Sequence, residues 1–132
     1  MTKHSKSLMA TAALLFAASL ARADERILIV ADIPLAFEAA GNSLPAGHYA
    51  FAKDDVVSGS LILRNVDTGK AFAVAYNSRL AMRPDSQAAI VFDKQGDKEY
   101  LSEIHLAGDD GYYFTGAMGK HTHVTVKAAK KN

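Results

Sequence analysis

LILRNVDTGKAFAVAYN, Leu61 to Asn77, is the stretch on which the fold turns. It joins an apolar run, Leu61 to Val66, to an alternating run, Ala71 to Asn77, through Asp67-Thr68-Gly69-Lys70. Asp and Gly favour tight turns, so this reads as a hairpin between two strands. A strand sends successive side chains to opposite faces. Phe72, Val74 and Tyr76 therefore share one face, while Ala71, Ala73 and Ala75 share the other. The first face is suited to a core. The small residues of the second imply close approach of another layer.

The same pattern extends in both directions. Upstream, Arg26 to Ile33 is apolar on both faces, as a central strand would be, and Pro34 should end or bulge its ladder. Leu35 to Ala39 can resume it, Ala40-Gly41-Asn42-Ser43 is a turn, His48 to Lys53 alternates with Tyr49 and Phe51 on one face, and Asp54-Asp55 is a break. Downstream, Ser78 to Gln87 reads as irregular around a Pro84-Asp85-Ser86 turn. Ala88 to Asp93 and Tyr100 to Leu106 flank a second hairpin signal at Lys94-Gln95-Gly96-Asp97. Gly108-Asp109-Asp110-Gly111 is a third turn, followed by an aromatic-rich segment from Tyr112 to Met118. Thr122, Val124 and Val126 alternate with His121, His123 and Thr125, and Ala128 to Asn132 should fray. Short strands spaced by turns, without a helical stripe or βαβ unit, predict an all-β fold: a single antiparallel β-sandwich or small barrel of about seven to nine strands.

Residues 1–23 read as a cleavable signal-peptide helix. Lys3 and Lys6 precede an uncharged apolar run from Leu8 to Leu20, and Ala21-Arg22-Ala23 gives a small-x-small cleavage site before Asp24. That run is too short to span a bilayer. Residues 24–132 then form one domain with a basic C-terminal tail, exported to the periplasm or beyond, with no stable membrane insertion after cleavage. The chain contains no cysteine, which removes disulfides, a lipid-bearing cysteine and thiol catalysis. Without Lys3, Lys6 and Arg22 the basic residues fall from 15 to 12 against 14 acidic ones, a net charge of −2. A nucleic-acid partner loses its electrostatic basis.

Ile33-Pro34-Leu35-Ala36-Phe37 followed by Leu44-Pro45-Ala46-Gly47-His48-Tyr49 resembles the opening of small secreted bacterial proteins of unknown function that carry I-P-F-x-F and L-P-A-G-x-Y segments. Leu35 stands where that pattern has Phe. Val91-Phe92, Gly96 and Tyr100-Leu101-Ser102-Glu103 resemble the later hairpin of the same proteins. A looser likeness is to surface β-sandwich modules with an L-P-x-G-x-Y turn. The resemblance implies a location, not an activity.

The sharpest chemical candidate is His121-Thr122-His123. Residues i and i+2 of a strand point the same way, about 7 Å apart, so two imidazoles can share a metal if a neighbouring strand adds a third ligand. His105 is the expected donor, with Glu103 or His48 behind it, and zinc or copper the expected ion. Against this stands a plain solvent-facing strand end with Lys120 and Lys127 nearby. Asp54-Asp55 and Asp109-Asp110 read as solvated turn acids, and Val57-Ser58-Gly59-Ser60 only imitates a nucleophile elbow. If Tyr112 and Phe114 are core, Tyr113 points outward onto a binding face. The readings in order are an exported, non-enzymatic β-domain serving a protein or envelope partner, a metal-binding protein built on His105, His121 and His123, and a small hydrolase.

Overall fold

The computed structural model describes residues 25–54 and 58–130; the expected signal segment lies outside them. No helix occurs among the described residues. Among the described residues twelve strands run in order: β1 Glu25–Ile33, β2 Phe37–Ala39, β3 Asn42–Leu44, β4 Gly47–Asp54, β5 Ser60–Asn65, β6 Ala71–Ala75, β7 Ser78–Leu80, β8 Ala89–Gln95, β9 Lys98–Leu106, β10 Asp109–Tyr113, β11 Thr122–Lys127 and β12 Ala129–Lys130. The surplus over seven to nine comes from β2, β3, β7 and β12, each three residues or fewer.

The strands form two sheets. One has the order β12-β1-β4-β5-β6. The other has the order β11-β8-β9-β10-β7, and β2 joins it by a parallel bridge to β9 and carries β3. Ile29, Tyr49, Phe51, Leu61 and Leu63 of the first sheet and Ile90, Phe92, Leu101 and Ile104 of the second supply the buried core. Phe37 joins the layers: its ring meets Tyr49 edge-on at 5.1 Å and tilts against Phe92 at 5.2 Å.

The 61–77 stretch forms its hairpin, with Phe72 and Val74 packed on the core. Asn65 shapes the turn by accepting the amide N–H of Asp67 and Thr68 on its side chain. The expected covering layer is not found, since Ala71, Ala73 and Ala75 are all exposed. Their smallness has another setting on β4. Ala50 and Ala52 face outward yet are 4% and 2% exposed. Across them Arg64 of β5 reaches Glu25 of β1, its Nη2 bonding both carboxylate oxygens at 2.9 and 3.0 Å.

Several boundaries differ from expectation. Asn42 and Ser43 belong to β3, because Ala40 and Gly41, both at positive φ, complete a two-residue hairpin loop. Ser78 to Leu80 is a strand against β10, held by Arg79, which stacks on the Tyr112 ring at 4.0 Å and bonds the carbonyls of Asp110 and Gly111. Gly111 lies in β10, not in a turn: a Cβ there would collide with the Ile104 carbonyl oxygen. The aromatic strand stops at Tyr113; the Phe114 N–H still donates to the Ser102 carbonyl, and residues 115–120 leave the ladder. Asp54 is buried at the end of β4, not solvated. Ala129 and Lys130 do not fray but pair with Val30 and Ile29. Residues 122–130 thus begin on one sheet and finish on the other.

Tyr49 explains the Leu44 to Tyr49 segment. Its hydroxyl donates to the Pro45 carbonyl at 2.7 Å, locking the turn into β4 against the ring that enters the core. Nearby, His48 bridges two acids, with Nδ1 3.0 Å from Asp67 and Nε2 3.1 Å from Asp32. The Asp67 hydrogen bond, then the Asp32 charge, holds its pKa above the ordinary histidine value, and the same contact holds Asp67 below the usual carboxylate range. The folded pKa is the higher one. The His48 contribution to stability is therefore complete below the unfolded histidine value near 6.5 and is lost as pH rises through the raised folded value. Proton NMR titration should find the His48 pKa above 6.5, and Asp67→Asn should return it toward that value.

Candidate metal centre

β11 is an edge strand paired only with β8, in a register that sets His123 opposite Asp93. Val124 and Val126 turn inward onto the core and His123 turns outward, as the alternation requires. His121, two residues earlier, falls on the same side. Asp93 shares that outer face, between Val91 and Gln95 on β8.

Asp93 is nevertheless buried, because the 114–120 segment folds over it. Gly116 sits so close that a Cβ would overlap Oδ2, and the Ala117 N–H donates to that same oxygen at 3.0 Å. Gln95 fastens the segment from below, its amide donating to the carbonyls of Met118 at 2.5 Å and Lys120 at 3.2 Å.

The other carboxylate oxygen, Oδ1, is fully buried and receives no hydrogen bond. Two imidazole nitrogens approach it, His123 Nδ1 at 3.0 Å and His121 Nε2 at 3.5 Å. Neither is aligned to donate to it. The state of His121 follows from its other nitrogen. Nδ1 lies 2.7 Å from the Gly119 carbonyl, which can only accept, so Nδ1 carries a proton. In the neutral ring Nε2 then carries the lone pair, 3.5 Å from Oδ1. A cation there, a metal ion or the proton of an imidazolium, satisfies both atoms.

The spacing suits a metal. Two ligand atoms each about 2.0–2.1 Å from a tetrahedral ion stand about 3.4 Å apart. Asp93, His121 and His123 each offer one atom, all within 4.8 Å of one another. The Gly119 carbonyl on His121 is the kind of outer contact that fixes a ligating imidazole's tautomer and aim. The two rings meet nearly perpendicular, with centroids 5.0 Å apart.

No protein-family model, curated protein or solved structure matches this chain. The site's meaning therefore rests on its geometry.

The expected third donor is not part of the group. His105 shares the outer face but pairs with Ala89, four positions along β8 from Asp93, about 13 Å away. Its Nε2 meets Glu103 at 2.8 Å. His48 lies on the other sheet. Tyr113 is 37% exposed, as expected with Tyr112 and Phe114 buried, but stands three strands from β11. Asp109 and Asp110 are occupied locally, bonding the N–H of Asp110 and Met82 respectively. Of the serine motif, Ser58 is exposed and Val57 lies outside the described residues. The residues that sequence reading missed are Asp93, Gln95 and the Gly116-Ala117 pair. The one signal available for Asp93 was a carboxylate ending an otherwise apolar run.

Proposed function

We propose that this protein is an exported, non-catalytic β-sandwich that binds one transition-metal ion through Asp93 Oδ1, His121 Nε2 and His123 Nδ1. The observation that carries the reading is the buried Oδ1 of Asp93, without a hydrogen bond, 3.0 and 3.5 Å from two imidazole nitrogens. Leaving a buried acceptor unsatisfied costs about 1–3 kcal/mol, and a bound cation removes that cost. Two imidazoles and one carboxylate are borderline donors suited to zinc or copper. Export is the part of the reading that rests on the leader, Lys3 to Ala23.

Native mass spectrometry of the protein purified without chelator tests this. The expected result is one metal per chain, lost in the His121→Ala/His123→Ala variant and kept in His105→Ala. A bare mass that takes up neither zinc nor copper on titration would reject the site.

A further inference from the structure

We propose that Gln95 is a positioning residue of the metal centre: through the backbone of residues 118–120 it sets the tautomer and the aim of His121. The inference rests on the three-residue site proposed above and adds to it a residue that acts through one of the ligands.

Gln95 stands two residues beyond Asp93 on β8, so the two side chains leave the same face of the strand. One strand thus carries a ligand and, beside it, a primary amide. A primary amide has two N–H donors. Nε2 of Gln95 meets two backbone carbonyls, Met118 at 2.5 Å and Lys120 at 3.2 Å. These are the carbonyls just before and just after that of Gly119. Gly119 itself has φ +85°, a left-handed conformation that L side chains rarely adopt. A glycine is free to turn either way, so the direction of its carbonyl depends on the bonds that flank it. Gln95 supplies both.

The Gly119 carbonyl lies 2.7 Å from His121 Nδ1. The link from amide to imidazole therefore runs through three hydrogen bonds and no other side chain. With that carbonyl in place, Nδ1 keeps the proton, and Nε2, 3.5 Å from Asp93 Oδ1, is the nitrogen left for a metal. Without it the neutral ring can carry its proton on either nitrogen and rotate away from Asp93. Loss of an outer contact of this kind on a ligating histidine typically costs 10–100-fold in metal affinity.

The test uses Gln95→Leu, which keeps most of the side-chain volume and removes both donors. Zinc(II) is titrated against a chromophoric chelator into the full mature chain. Long-range proton–nitrogen NMR correlation reads the His121 tautomer in the metal-free protein with the rings neutral. The expected result is an affinity lower by about tenfold or more, together with a His121 ring that changes from Nδ1-protonated to a mixture of tautomers. Gly119→Ala repeats the test without touching Gln95. Its Cβ has room, 3.7 Å from Gln95 Nε2, but φ +85° is strained for alanine, so the carbonyl must turn and the tautomer should be lost likewise. A fall in affinity with the His121 tautomer unmoved overturns the proposal, by making Gln95 only a support for the covering segment. Unchanged affinity in Gln95→Leu overturns it too, while leaving the three-residue site standing. Binding of neither zinc nor copper by the wild type overturns the site itself.

Discussion

Asp93→Asn is expected to raise the stability of the metal-free protein while lowering metal affinity at least about a hundredfold, the two effects having opposite sign for one atomic reason. In the native chain Oδ2 accepts the Ala117 N–H and Oδ1 accepts nothing. An Asn side chain keeps the first contact with its carbonyl and turns an N–H toward His121 Nε2, which the Gly119 carbonyl has left as an acceptor. An unbonded pair becomes a hydrogen bond. The gain should be about 1 kcal/mol, or roughly 4–8 °C in melting temperature for a domain of this size. The anionic ligand is lost in the same step. Asp93→Ala should differ, because it also abandons the Ala117 N–H under a covering segment and so lowers stability. Thermal melts in chelator, paired with metal titration, separate the cases. An Asn variant that melts below the wild type in chelator would mean that Oδ1 is well satisfied in the native fold.

Phe37→Ala should cost about 3–5 kcal/mol, a large share of the 5–15 kcal/mol typical of a whole domain. Phe37 is 1% exposed and is the contact between Tyr49 of one sheet and Phe92 of the other. Its removal deletes two aromatic pairs and leaves a void between layers held apart by separate ladders, which cannot close easily. The melting temperature should fall by roughly 12–40 °C. Phe37→Leu, which fills most of the volume, should cost far less. Urea unfolding of the two variants decides the matter, and a loss below about 1.5 kcal/mol for Phe37→Ala would place the centre of the core elsewhere.

The alternation in Leu61 to Tyr76, in His48 to Lys53 and in Thr122 to Lys127 was legible because period-two patterning is what a half-buried strand requires. Three-residue strands such as Ser78–Leu80 carry no period to read, and β7 exists because Arg79 packs on Tyr112 across the sheet. Gly111 was misleading: the sequence cannot distinguish a glycine that turns the chain from one that lets a carbonyl approach. The small residues of β6 suggested a third layer where the structure leaves them exposed. At the site, the two histidines could be paired from their i, i+2 spacing. The third donor could not, since the choice between His105 and Asp93 depends on how β11 registers against β8 and on a loop that covers one carboxylate.

Residues 122–130, which cross from the second sheet to the first, bear on the order of assembly. Asp93 and His123 are thirty residues apart in the chain. Contacts so distant in sequence form late, after loop-closure entropy has been overcome. In a polypeptide made from its N-terminus, the residues of both β1 and β8 exist before the segment that covers their outer margins in the finished fold. The coordination sphere comes into being with that last docking. Metal uptake would thus be a completion signal, separating finished molecules from those whose two sheets are not yet stitched together.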